Sequence, residues 1–432
     1  MFTLILIFII EGLLIFFVNQ FYSFELINLQ VFSTVLIAIN SFAYLLLIVK
    51  YSNNKKEYLV LFFAYFVRLL FLYWDIYGRE IFILPNSGMD SEMYHSNAIN
   101  VLKGFDAEQG GNYSIFLGSI YYFFGEQRIL AQYLNVLFGV FTIILIKKIL
   151  EKIKINNRMK FSLLLLSSFL PNLIIMNSIL LRESIIIFLI ASSLYFFVKW
   201  WEMDSVKDLS ISITLPIVAT LFHSGSIAIL VGYMFVIIFY NNKLQKFDIN
   251  SKTVMYSLIF LSLFYVANNF YNDVLFSKFS RVSSISDITD TAALYTSGGS
   301  AYLQNLKADN LFTMILLTPI RMLYFIGSPL PWNWRGLQDI FAFIFSSLFY
   351  ITTIIYSLRA LTVTNNRYKN LLIGLLLFSL ITMLFFSWGV SNSGTALRHR
   401  EKFISIYIIM LGVSWMSLKE KLPKRAKKRF MR

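Results

Sequence analysis

The 432-residue chain contains no cysteine, which excludes disulfides and thiolate metal sites. Charge is scarce as well. Only 14% of the residues are charged against 57% hydrophobic, and that balance excludes an ordinary soluble globule. The N-terminal apolar run has neither a basic region before it nor a small-residue cleavage site after it, so it reads as a first membrane span rather than a cleaved signal. Acidic residues are outnumbered by basic ones, 23 to 38. In a soluble protein a net charge of +15 would point to nucleic acid; here it reads as membrane topology, and no nucleic-acid partner is expected.

What is present is a series of apolar runs of bilayer-spanning length. Placed by length and oriented by the Lys/Arg bias of short loops, they predict an all-α polytopic membrane protein with about twelve transmembrane helices. It forms one transmembrane domain over residues 1–432, with both ends in the cytoplasm and a basic tail at 418–432. The predicted spans lie at about 3–18, 31–49, 58–76, 129–146, 161–180, 184–199, 209–222, 226–240, 254–270, 338–358, 371–388 and 403–417. Pro171-Asn172 predicts a kink inside the fifth. Arg68 lies inside the third, where a functional role competes with simple snorkelling to the interface.

Two large outer loops interrupt the series, at 77–127 and 271–337. In the first, Asp90 to Gly104 reads as a helix started by Asp90 and stopped by Gly104, and Tyr113–Phe124 as a second helix too short to span. In the second, the apolar run 311–327 reads as re-entrant or interfacial, because a span there would put Arg359, Arg367 and Lys369 outside.

The distribution of cations carries the functional signal. Of the 38 Lys and Arg, 25 fall in the assigned cytoplasmic segments, 12 outside and one in a span. The inner set is 19 Lys and 6 Arg, whereas the outer set is 4 Lys and 8 Arg. Anchoring does not demand arginine, but planar, bidentate recognition of phosphate oxygens does. All three histidines, His95, His223 and His399, are also on the outer side.

Four outer groups therefore become candidates: Asp90/Glu92/His95, Arg182/Glu183, Arg321 with Arg335, and Arg398/His399/Arg400. Arg281 joins them in the second loop. The last group sits in Ser393–Lys402, which reads as a short loop between two spans and competes with plain headgroup anchoring. A carboxylate with several arginines suits glycosyl transfer from a polyprenyl-phosphate or -pyrophosphate donor. The arginines would stabilise the leaving phosphate, while Asp90, Glu183 or His399 takes the acceptor proton. Against that stand a helix cap for Asp90, a structural ion pair for Arg182-Glu183 and a turn role for His223. Helical spacing keeps Asp90, Glu92 and His95 off a common face, so no metal site is expected. No cofactor is expected either.

Asp90, Tyr94, Ala98 and Gly104, followed by two interfacial helices, resemble the first outer loop of GT-C glycosyltransferases that use lipid-linked sugars. That resemblance makes Asp90 catalytic. The loop follows the third span here, whereas those enzymes usually carry it after the first. The Pro171-Asn172 span ending in Leu181-Arg182-Glu183, with the loop Thr395-Ala-Leu-Arg398-His399-Arg400, looks more like Wzy-type polymerases of O-antigen and capsule assembly. That likeness implies that Arg182, Arg398 and Arg400 handle an undecaprenyl pyrophosphate at the outer face of a bacterial cytoplasmic membrane. It also implies a flippase and a chain-length regulator as partners. Two alternatives stand beside it: a GT-C transferase adding a single sugar, and a lipid-linked oligosaccharide flippase.

Overall fold

A computed structural model describes residues 9–13, 15, 26–107, 110–241, 244, 246–270, 299–304, 306–362 and 367–420. Most of the expected first span, Arg281, the segment 271–298 and the tail from 421 lie outside the described residues.

The described chain is almost entirely α-helical. Its β structure is a short hairpin pairing Tyr240–Asn241 with Lys246–Phe247 and an isolated bridge between Ala301 and Asn392. Among the described residues, six helices are long and apolar enough to cross a membrane: 31–51, 55–77, 128–152, 183–203, 337–361 and 368–389. Ser393–Glu401 and Ile404–Lys419, bent by 67° at a short break, would make a seventh if counted as one span. The protein is thus a helical membrane protein. Other expected spans are shorter helices, among them Val206–Phe222 and Ile227–Phe239. Leu311–Gly327 is a single helix of 17 residues, about 25 Å long and short of a bilayer core.

Two expectations are corrected. The stretch 161–180 is not one kinked helix. It ends at Phe169 and restarts as the six-residue helix Pro171–Met176. Proline has no N–H to continue the ladder and forces Leu170 into an extended conformation, φ −60° and ψ 120°. Nor is Ser393–Lys402 a loop. Ser393–Glu401 is helical, because the Asn392 side chain accepts from the Gly394 and Thr395 N–H groups and caps a turn that leads into the helix formers Ala396, Leu397 and Arg398.

The chain divides into two compact units, 1–145 with 164–188, and 146–163 with 189–432. In the first, the broken segment leaves carbonyls exposed inside an apolar interior, where each must find a donor. Asn135 Nδ2 donates to the Ile179 and Leu181 carbonyls, at 2.8 and 2.9 Å. Arg68 is fully buried and donates to the Ala64 and Ser168 carbonyls. It therefore does not snorkel; it caps a neighbour's broken backbone. The helices Met89–Leu102 and Gly111–Phe124 pack on one another through an edge-on Tyr94–Tyr113 pair. Past the first of them, Gly104 adopts φ +84°, a left-handed stop that L side chains resist.

In the second unit, buried hydroxyls cross-link otherwise apolar helices. Ser379 donates to Tyr407, Ser193 to Tyr233, and Ser357 pairs with Ser414. Leu337–Leu361 opens into a single π-helical turn at Phe343–Ser347, and such turns cluster at functional sites. Here the turn carries Ser346 and Ser347 towards Arg400.

Candidate functional site

Most of the sequence-flagged residues of the second unit come together around the capped helix Ser393–Glu401. Arg400 is 1% exposed, and its guanidinium fork meets protein acceptors all round. Nε donates to Ser346 Oγ at 3.0 Å and Nη2 to Ser347 Oγ at 2.9 Å. Nη1 reaches the Ser328 and Ile326 carbonyls at 2.6 and 3.1 Å. Glu401 lies beside it, accepting from Ser346 Oγ and the Tyr350 hydroxyl. Arg400 thus ties its own helix to the 326–328 and 346–347 segments, and in this arrangement its donors are already engaged. The expectation that it binds a pyrophosphate gives way to a scaffold role.

One residue earlier, His399 faces a different environment. Its ring centroid is 4.8 Å from that of His223 and 5.1 Å from Phe386, so a residue read as a turn element belongs to this cluster. His399 Nδ1 lies 2.7 Å from the ammonium of Lys402, a fully buried side chain. An ammonium offers only donors, so Nδ1 accepts and the neutral ring carries its proton on Nε2. In His223 the Gly225 N–H donates to Nδ1 at 3.1 Å, which fixes the same tautomer. The two imidazoles are therefore N–H donors at Nε2. As a general base, His399 would have to give up its lysine partner. As a donor to an anion it would keep that partner.

Arg321 is 2% exposed, lies over the Trp388 ring at 4.3 Å and donates to the Leu306 carbonyl. Its Nη1 lies 3.5 Å from Ser391 Oγ, next to the asparagine that caps the site helix. Arg398 is half-buried on that helix. Arg335 stands apart: half-exposed, it makes a two-armed contact with Asp339 at 3.1 and 3.2 Å, a local turn of its own.

In the first unit, Asp90 is not the helix cap. Gly88 holds that position, and Asp90 is half-buried in the first turn. Glu183 is fully buried in the first turn of Glu183–Met203, and the Arg182 guanidinium lies 5.8 Å from the Tyr94 ring. Glu92 and His95 join residues the sequence reading passed over. Glu92 Oε1 accepts from Arg79 and, at 2.7 Å, from Arg128. Fully buried Asp75 accepts from Gln132 at 2.6 Å and lies 3.6 Å from Arg128 and 3.9 Å from Arg79. His95 Nδ1 meets the Tyr121 hydroxyl at 2.7 Å. Burial would raise the Glu92 pKa, but the hydrogen bonds and charges of Arg128 and Arg79 outweigh it and hold the carboxyl below its usual range. Burial, with Arg128 next, lowers the His95 ring, so it is neutral at pH 7. The signal for this cluster was present in the sequence as Asp75 and Arg79 at an i, i+4 spacing at the end of a span.

Comparison of the chain with protein-family models, with curated proteins and with solved structures finds no match.

Proposed function

We propose that the protein is a membrane glycosyltransferase that polymerises undecaprenyl-pyrophosphate-linked oligosaccharide repeat units at the outer face of a bacterial cytoplasmic membrane. The carrying observation is the His223–His399 pair, with ring centroids 4.8 Å apart and Lys402 held on His399 Nδ1. Two Nε2–H groups, an ammonium, half-buried Arg398 and nearby Arg321 offer donors and positive charge with one buried carboxylate, Glu401, close by. Such a set stabilises charge developing on a leaving pyrophosphate. The topology that goes with this reading has about twelve spans, with the site helix on the outer side and the basic tail in the cytoplasm.

The test is an assay of purified protein on undecaprenyl-pyrophosphate-linked repeat units, read as a ladder of products. A ladder that collapses in His399→Ala and His223→Ala supports the reading. A single added sugar points to the simpler transferase.

One observation favours a second reading. Arg68 and Asp75 are both fully buried within one apolar helix, Lys55–Tyr77, and buried charge in a bundle marks transport paths. Translocation of the lipid-linked substrate across vesicles without any ladder would make the protein a flippase.

A further inference from the structure

The first unit contains a cavity of about 230 Å³ lined by Asp75, Tyr77, Arg79, His95, Gln127 and Arg128, among others. Three features set it apart from a structural ion-pair network. First, it is open space rather than a closed contact. Second, its buried groups are incompletely matched. Asp75 Oδ1 has no hydrogen-bond donor, although the side chain is fully buried and lines the cavity. On the other side, Nε and Nη2 of Arg128 have no hydrogen-bond acceptor. A native interior rarely leaves such groups unmatched, and here an acceptor and a donor are left together. Third, charges of both signs meet there. Arg79 and Arg128 face Asp75 and Glu92, with Glu126 exposed at the lining.

That mixture of signs decides the chemistry of the ligand. A phosphate would meet the carboxylates of Asp75 and Glu126, and an amine would meet two guanidinium groups. A hydroxyl both donates and accepts, so adjacent hydroxyls can satisfy a carboxylate oxygen and a guanidinium N–H side by side. Tyr77, 59% exposed, with Ile76 and Ile129, supplies an aromatic and apolar wall for the C–H face of a ring. We infer that this cavity is a binding pocket for a neutral pyranose sugar, held between Asp75 and Arg128 and packed on Tyr77. The inference rests on the geometry of this unit alone and stands apart from the polymerase reading.

The experiment uses the full chain in lipid nanodiscs, because maltoside detergents would carry a competing sugar. Methyl glycosides of glucose, galactose and N-acetylglucosamine are titrated by saturation-transfer-difference NMR, with inorganic phosphate as competitor. Saturable binding of at least one glycoside is expected, weakened at least tenfold in both Asp75→Asn and Tyr77→Ala and unaffected by equimolar phosphate. Tyr77 is exposed, so its variant decides the matter if Asp75→Asn fails to fold. Absence of saturable binding for all three glycosides overturns the proposal. So does unchanged binding in Tyr77→Ala, or displacement of the sugar by phosphate, which would make the pocket an anion site. The product-ladder assay is independent of these outcomes.

Discussion

Arg400→Lys separates scaffold from substrate chemistry at the site helix. In the structure the guanidinium holds Ser346 Oγ, Ser347 Oγ and the Ser328 and Ile326 carbonyls, from three nitrogens, in a fully enclosed position. A lysine keeps the charge but has one nitrogen, so it retains the short contact to the Ser328 carbonyl and one neighbour at most. Two or three charge-assisted hydrogen bonds are lost, each contributing a net of about 1.5 kcal/mol or more, and the abandoned acceptors stay buried. Partial relaxation included, the loss comes to about 3–5 kcal/mol, in line with the breaking of buried charged networks elsewhere. For a chain of this size that lowers the unfolding midpoint by about 3–6 °C. The measurement is thermal unfolding of the purified variant followed by tryptophan fluorescence, alongside its ability to bind lipid-linked substrate. Unchanged thermal stability with lost substrate binding would refute the scaffold assignment and return Arg400 to the substrate.

Arg398→Lys should behave in the opposite way, keeping stability and losing most product formation, because a point charge does not replace a fork on phosphate oxygens; the ladder assay reads this. His399→Ala should slow turnover by about a hundredfold to ten-thousandfold if its N–H acts in the transition state, with substrate retention on the protein as the comparison. In the first unit, Glu92 and His95 both bind protons more weakly folded than unfolded, since His95 falls below its usual 6.5 and Glu92 below its usual 4.5. Their contribution to stability is therefore complete above about pH 6.5 and is lost as pH falls, first through His95 and then through Glu92. His95→Gln should flatten the upper part of that slope in unfolding midpoints taken from pH 8 to 4. Gly139→Ala would place a methyl group 2.8 Å from Asn177 Cβ and closer still to its amide, at a cost of about 1–3 kcal/mol in thermal unfolding. Gly374→Ala, whose nearest neighbour would be 3.5 Å away, should be neutral or slightly stabilising in the same measurement.

The sequence by itself determined the helical membrane class, because apolar runs of spanning length leave backbone groups no partners but their own helix. It also set the bounds of particular elements. Leu311–Gly327 and the pair Met89–Leu102 and Gly111–Phe124 lie where hydrophobic runs, glycine stops and short lengths predict them. Local rules failed where the chain satisfies itself from a distance. The break at Leu170 is tolerated because Arg68, far along the chain, donates to the Ser168 carbonyl, and Asn135 does the same for the Ile179 and Leu181 carbonyls beyond the short helix. The 393–401 segment looked like a loop by its charge, yet Arg400 and Glu401 find their partners on Leu337–Leu361 and can be buried as a helix. The site follows the same division. Sequence marked out the arginines and histidines by type and side, but only the tertiary structure could bring His223 against His399, engage Arg400 inside the scaffold and assemble Asp75, Arg79 and Arg128 around a cavity. Charge is legible in a sequence; which charges are already answered by other parts of the protein is a property of the fold.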